Sequence, residues 1–292
     1  MKRVKKILPA LFRVWLFELM ILAIWAGVVF KLWGFSVSWL IIFAAIAVGL
    51  FAAQLLYYSR FYRKAQEYLD TYEAEGYTEH TVEVFRRCFI DVKKPRAQDL
   101  CSLAGLYAVM DREQEALQIM NGIRPDQEKS LAFKIDYYTS YVSTMLANYL
   151  TVQASQGLSD GAQYIARLGT QASSYTTAWK LYTMRVFFQQ GRFADGEQLF
   201  LSAFQPEDRN DASYANALAT TAIGAALCGL PDKEELYTQM ARKYLEGANE
   251  MKYPWMKGYY LEKLEKGLIK SRQRFEAMTF TDNLSPESSG DK

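Results

Sequence analysis

The sequence predicts an all-α protein, an N-terminal transmembrane helical hairpin followed by a chain of antiparallel helical hairpins. Three observations predict it. Two long apolar runs stand side by side at residues 14–32 and 35–58. After residue 64, apolar residues recur three and four apart in runs of about 12–25 residues, the helical period. Turn signals punctuate those runs at Gly76, Pro95, 121–125, Gly157, Gly191, Pro206, 228–231 and Pro254. No Val/Ile/Thr alternation is bounded by Asn-Gly or Asp-Gly turns, so strands are not expected.

The first apolar run carries Glu18 near its start and Lys31 near its end, and the second has no charge over 24 residues. As a helix the second would be about 36 Å long, enough for a hydrocarbon core of about 30 Å. Only Trp33 and Gly34 separate the two. The basic start resembles a signal peptide, but the apolar core is too long and no small-residue cleavage site follows. The expected membrane anchor is therefore 1–64, with spans at about 14–32 and 35–58.

Basic residues set its orientation. Lys2, Arg3, Lys5, Lys6 and Arg13 precede the first run, Arg60, Arg63 and Lys64 follow the second, and Lys31 alone lies near the loop. Both termini and the following domain are expected to be cytoplasmic, in a multi-pass protein of the cell (plasma) membrane. Ala23 and Gly27, and Ala45, Gly49 and Ala53, are spaced for close packing of the two spans or for a homo-oligomer. Glu18 is costly in a span: it either snorkels toward the interface near Arg13 and Trp15 or couples a signal through the membrane.

Charge divides the chain at the same place. Residues 1–64 hold nine Lys/Arg against one acid, whereas 65–292 hold 25 Lys/Arg against 31 acids. The net of −6 on the second part repels phosphate backbones, so no nucleic-acid partner is expected. Cys88, Cys101 and Cys228 lie in apolar helical context without a CxxC, as buried free thiols would. The helical domain is expected over 65–280, and the polar tail 281–292 is expected to be disordered.

The segment 178–208 resembles a tetratricopeptide repeat, with Phe187, Gly191, Gly196, Phe200, Ala203 and Pro206 in the matching places. Residues 100–125 match as well, through Leu100, Leu103, Ala104, Tyr107, Ala116, Met120, Ile123 and Pro125. A weaker copy runs through Ile223, Gly224, Leu227, Leu236 and Met240, and a degenerate one falls at roughly 129–171. The unit is about 40 residues rather than the typical 34, which leaves another α-solenoid subtype open. The resemblance implies a right-handed superhelix of αα-hairpins with a concave face.

Chemistry is sparse. His80, the sole histidine, sits near a helix start, and no HExxH, GxSxG, phosphate loop or GxGxxG occurs. No catalytic residue, cofactor or metal is expected. The resemblance implies a protein or peptide partner held along first helices, and some relatives clamp a terminal carboxylate there. Those places hold Cys101 and Gly105, Leu181 and Arg185, and Thr221 and Ala225, of which only Arg185 is cationic. Tyr182, Arg185 and Gln189 form the polar part of the expected groove, although Arg185 could equally pair with a neighbouring acid. The expected function is a membrane-anchored scaffold or adaptor. The alternatives are a membrane sensor or regulatory subunit signalling through the hairpin, and an enzyme assembled from scattered acids.

Overall fold

The computed structural model describes residues 20–21, 23–32, 37–169, 173–206, 211–248 and 251–283. The chain divides into two compact units, Met1–Glu67 and Tyr68–Lys292. Among the described residues the secondary structure is helical, joined by turns.

In the first unit, residues 20–21 and 23–32 are helical, and helix α1 (Val37–Glu75) follows, its last eight residues belonging to the second unit. No helix among the described residues is long and apolar enough to cross a membrane. This overturns the expected transmembrane hairpin. The second run does not form a bounded span; it is the start of a 39-residue helix that continues into the charged sequence ending at Glu75. A Cβ on Gly27 or on Gly49 would meet nothing within 4 Å, so these two glycines of the small-residue faces make no close helix contact. The multi-pass plasma-membrane location, the membrane-integral partnership and the homo-oligomer through those faces go with the hairpin. Glu18 lies outside the described residues.

The second unit is built from helix pairs. A left-handed residue, Gly76 at φ +73°, breaks α1 from α2 (Glu79–Phe85), which a π-helical turn extends over Arg86–Ile90. Four pairs follow: α3 (Ala97–Val109) with α4 (Glu113–Asn121), α5 (Leu131–Ala147) with α6 (Thr151–Ala166), α7 (Ser173–Gln189) with α8 (Phe193–Ala203), and α9 (Ala212–Leu227) with α10 (Pro231–Gly247). Helix α11 (Met256–Asn283) closes the unit. Of the tail expected to be disordered, 281–283 belong to α11 and 284–292 lie outside the described residues.

The starts of these helices are written locally. The side chains of Thr78, Ser130 and Asp211 accept hydrogen bonds from the first free backbone N–H groups of α2, α5 and α9, and Pro231 opens α10. Each such cap stabilises its helix by about 1 kcal/mol.

One turn joins every pair. Three residues separate the two helices, and the middle one has positive φ: Asp111 at 61°, Tyr149 at 55°, Gly191 at 73° and Gly229 at 66°. The next residue's N–H reaches back five positions each time: Arg112 to Tyr107, Leu150 to Met145, Arg192 to Phe187 and Leu230 to Ala225, at 2.8–3.0 Å. This satisfies carbonyls that the end of a helix leaves open.

The turn fixes the register of the core. Seven residues before each turn centre stand Ala104, Val142, Met184 and Ala222, all fully buried. First helices pack in sequence, α3 on α5, α5 on α7 and α7 on α9, and α11 lies on α9. One hairpin cannot cover its own apolar face, so stacking makes the core continuous.

Register also corrects two expectations. Gly157 is not a turn but lies inside α6, where a Cβ would stand 2.8 Å from the Tyr141 ring. Leu236 and Met240 are exposed, and the core residues of α10 are Tyr237, Ala241 and Leu245.

Candidate functional site

The inner faces of the first helices and one face of α11 enclose a cavity of about 340 Å³. Six residues before each turn centre, the chain presents Gly105, Ser143, Arg185 and Ile223, and the last three line this cavity. Gly105 and Ser143 line a smaller hollow beside it, with Tyr77, Val109 and Ser143 common to both. From α11 come Tyr259, Lys263, Lys266 and Lys270, spaced four, three and four apart, hence one helical face. The neighbouring face of α11 holds Leu264 and Leu268, buried in the core with Leu218 and Ala241.

The cavity's cations differ in what they meet. Lys270 is bonded to Asp111 at 2.9 Å and Glu113 at 3.1 Å, and Lys266 to Glu262 at 2.6 Å. Lys263 donates to the Asn216 side-chain oxygen at 2.7 Å and has no carboxylate partner among the described residues. Arg185 forms no hydrogen bond or ion pair with any described residue. Arg185 retains some exposed surface because it lines the cavity. It is nonetheless deep enough that burial lowers its pKa, while Tyr182, Tyr149, Tyr259 and Asp111 oppose that shift. Burial also drives Lys263 down to about 7, helped by the nearby Arg185 charge and opposed by Asp111. Desolvating a charge without a partner costs several kcal/mol, so this pair stands out among the unit's many solvated ion pairs.

Of the other two expected groove residues, Gln189 lines the same cavity as Arg185 and also ties helices together. The Gln189 side chain donates to the Leu146 carbonyl at 2.8 Å and accepts from Thr151 at 3.0 Å, tying α7 to the preceding pair. Tyr182 lines the smaller hollow. Burial raises its hydroxyl, and Arg185 and Ser143 counter that shift. Of the implied clamp positions, Cys101, Leu181, Thr221 and Ala225 are core residues, and Thr221 bonds its own helix at Ala217. The third pair of positions was two residues out of register: Ile223 is the counterpart of Arg185.

The sequence pattern missed Lys263. The signal is present as lysines at 263, 266 and 270, a cationic stripe beside the Leu264–Leu268 stripe.

His80 is exposed, with Nδ1 2.9 Å from the Glu75 carboxylate. Cys88 and Cys101 are buried, Cys228 is partly buried, and all three are free thiols. Among the described residues, no group of His, Cys, Asp and Glu is arranged to hold a metal ion. The cavity thus offers the Arg185 guanidinium and the Lys263 amine as donors, beside the carboxylates of Asp111, Glu113 and Glu262 that hold Lys270 and Lys266, which leaves these two donors for an anion. In comparisons with known proteins, no protein-family model, no curated protein and no solved structure matches this chain.

Proposed function

We propose that the second unit is a non-catalytic helical-repeat scaffold, of the tetratricopeptide kind, that grips a protein or peptide partner by an acidic group. The observation that carries this is Arg185, an arginine in a desolvated cavity with no acceptor of its own. The identical turns at 111, 149, 191 and 229 support a repeat of 38–42 residues. Because α11 forms one wall, the cavity admits a side chain rather than a length of extended peptide along the inner helices. Its volume, at the low end for ligand sites, fits that use.

The test is photocrosslinking from position 110, which lines the cavity, followed by mass spectrometry of the captured species. A discrete partner that is lost on Arg185→Gln, in a variant of unchanged helicity, supports the scaffold. A capture pattern indifferent to Arg185→Gln overturns it.

A further inference from the structure

The cavity carries more specific information than an acidic partner. Arg185 on α7 and Lys263 on α11 face one space from two helices, and neither has a carboxylate to answer it. The lysines beside them are already neutralised, Lys270 by Asp111 and Glu113 and Lys266 by Glu262. Arg185 carries a fixed positive charge, and Lys263, whose burial favours the neutral amine, gains its proton when an anion arrives, so a doubly negative group answers both. A carboxylate supplies one. A phosphate monoester carries about −1.5 to −2 at neutral pH, with three acceptor oxygens. It can take the guanidinium fork on two oxygens and the ammonium on the third. The cavity volume of about 340 Å³ accommodates a phosphate on a small organic body but not a nucleotide-sized ligand lying at full length.

We infer that this cavity is a binding site for a phosphate monoester, free or carried on a partner's serine or threonine, with Arg185 and Lys263 as its two charged ligands. The inference rests on the same unanswered Arg185 as the scaffold reading, but it names a different determinant, the doubly charged oxyanion.

The experiment is calorimetric titration of the full chain with three probes: O-phosphoserine, inorganic phosphate and glutamate. Phosphoserine should bind saturably and glutamate should not. Arg185→Gln and Lys263→Gln should each weaken phosphoserine by about tenfold or more, since each removes a charge-assisted contact. If Arg185→Gln does not fold, Lys263→Gln carries the test, with Lys263→Arg expected to retain most of the affinity.

A phosphoserine-containing pentapeptide separates the sources. Tighter binding of the peptide than of phosphoserine places the phosphate on a partner; equal binding makes it a free ester. No saturable binding, equal affinity for glutamate, or binding unchanged in both variants overturns the inference. Partner capture through Arg185 with no response to phosphoserine would sink the phosphate site and leave the scaffold standing. Phosphoserine binding with no captured partner would do the reverse.

Discussion

The first two helix pairs and the last two close on the same backbone turn, yet Asp111 and Tyr149 hold the left-handed position in the first two and Gly191 and Gly229 hold it in the last two. A side chain in that conformation costs roughly 1–2 kcal/mol, and glycine avoids the cost. The first pairs retain side chains there, and both of those side chains meet α11. Asp111 bonds Lys270 at 2.9 Å, and Arg274 lies 3.7 Å above the Tyr149 ring. At the fourth turn the relation reverses, with α11 laying Phe275 against bare Gly229 backbone. At the third turn nothing stands within 4 Å of a Cβ on Gly191. The comparison teaches that the repeat supplies a turn and the closing helix decides what occupies it. Strain sits where a side chain has work at the cavity mouth.

The largest expected effects test whether the two halves are one cooperative body. Phe133 in α5 and Phe200 in α8 are each almost fully buried. Truncating either to alanine should cost about 3–5 kcal/mol. In urea unfolding followed by far-UV circular dichroism, each variant should shift the whole transition. If only part of the transition moves, the halves unfold separately and the continuous core described above is wrong.

The glycine turns give the next effects, and they should be unequal. Gly229→Ala adds left-handed strain and drives a Cβ to 2.2 Å from Phe275. Strain and overpacking together should cost about 2–4 kcal/mol. Gly191→Ala adds strain alone, about 1–2 kcal/mol. Equal melting temperatures for the two variants would show that contact with α11 does not matter at the fourth turn.

The same contrast explains what was legible in the sequence. Gly191 and Gly229 advertise turns because only glycine takes that backbone freely, so the turns of the last two pairs are legible although the register of the last pair is not. Asp111 and Tyr149 give no such signal, and Gly157 gives a false one, being needed for space against Tyr141 rather than for a bend. The degenerate copy therefore looked degenerate although its backbone is regular. In α10 the exposed Leu236 and Met240 drew the pattern one residue away from Tyr237 and Ala241. Arg185 was legible as the lone cation at an inner-face position. Its lack of an acceptor and its pairing with Lys263 were not, because they depend on α11 returning across the first helices, and spacing within one helix carries no such information. Apolar length alone misled at residues 14–58, where no helix among the described residues is long and apolar enough to cross a membrane.

A smaller effect links the cavity to pH. Lys263 falls from an ordinary 10.5 to about 7 in the folded chain, with burial the main cause, Arg185 adding to it and Asp111 opposing. Between those values the unfolded chain holds a proton that the folded chain has released. Stability should therefore rise as pH climbs from about 7 toward 10.5, and stay level with respect to this group below 7. Lys270, paired with Asp111 and Glu113, shifts upward and contributes the opposite slope at higher pH. Lys263→Met should flatten the rise near neutrality without lowering stability there. A wild-type profile that falls between pH 7 and 9, unchanged by Lys263→Met, would contradict the buried placement of this amine.

The smallest net effect is expected at Asp111, where two terms oppose each other. Asp111→Gly relieves the left-handed strain of a side chain at φ 61° and removes the ion pair to Lys270. Aspartate tolerates that backbone better than most residues, and a partly exposed ion pair contributes about 0–1 kcal/mol. The two should cancel to within about 1 kcal/mol at low salt. They separate with ionic strength, because salt screens the pair and leaves the strain untouched. Wild-type stability should thus fall relative to Asp111→Gly as salt is raised. Removal of the carboxylate should also depress the Lys263 amine further, since Asp111 is the charge that props it up. A glycine variant that loses several kcal/mol at every salt concentration would mean that Asp111 does more than hold α11, and would make it a structural member of the cavity wall on a par with Gly229.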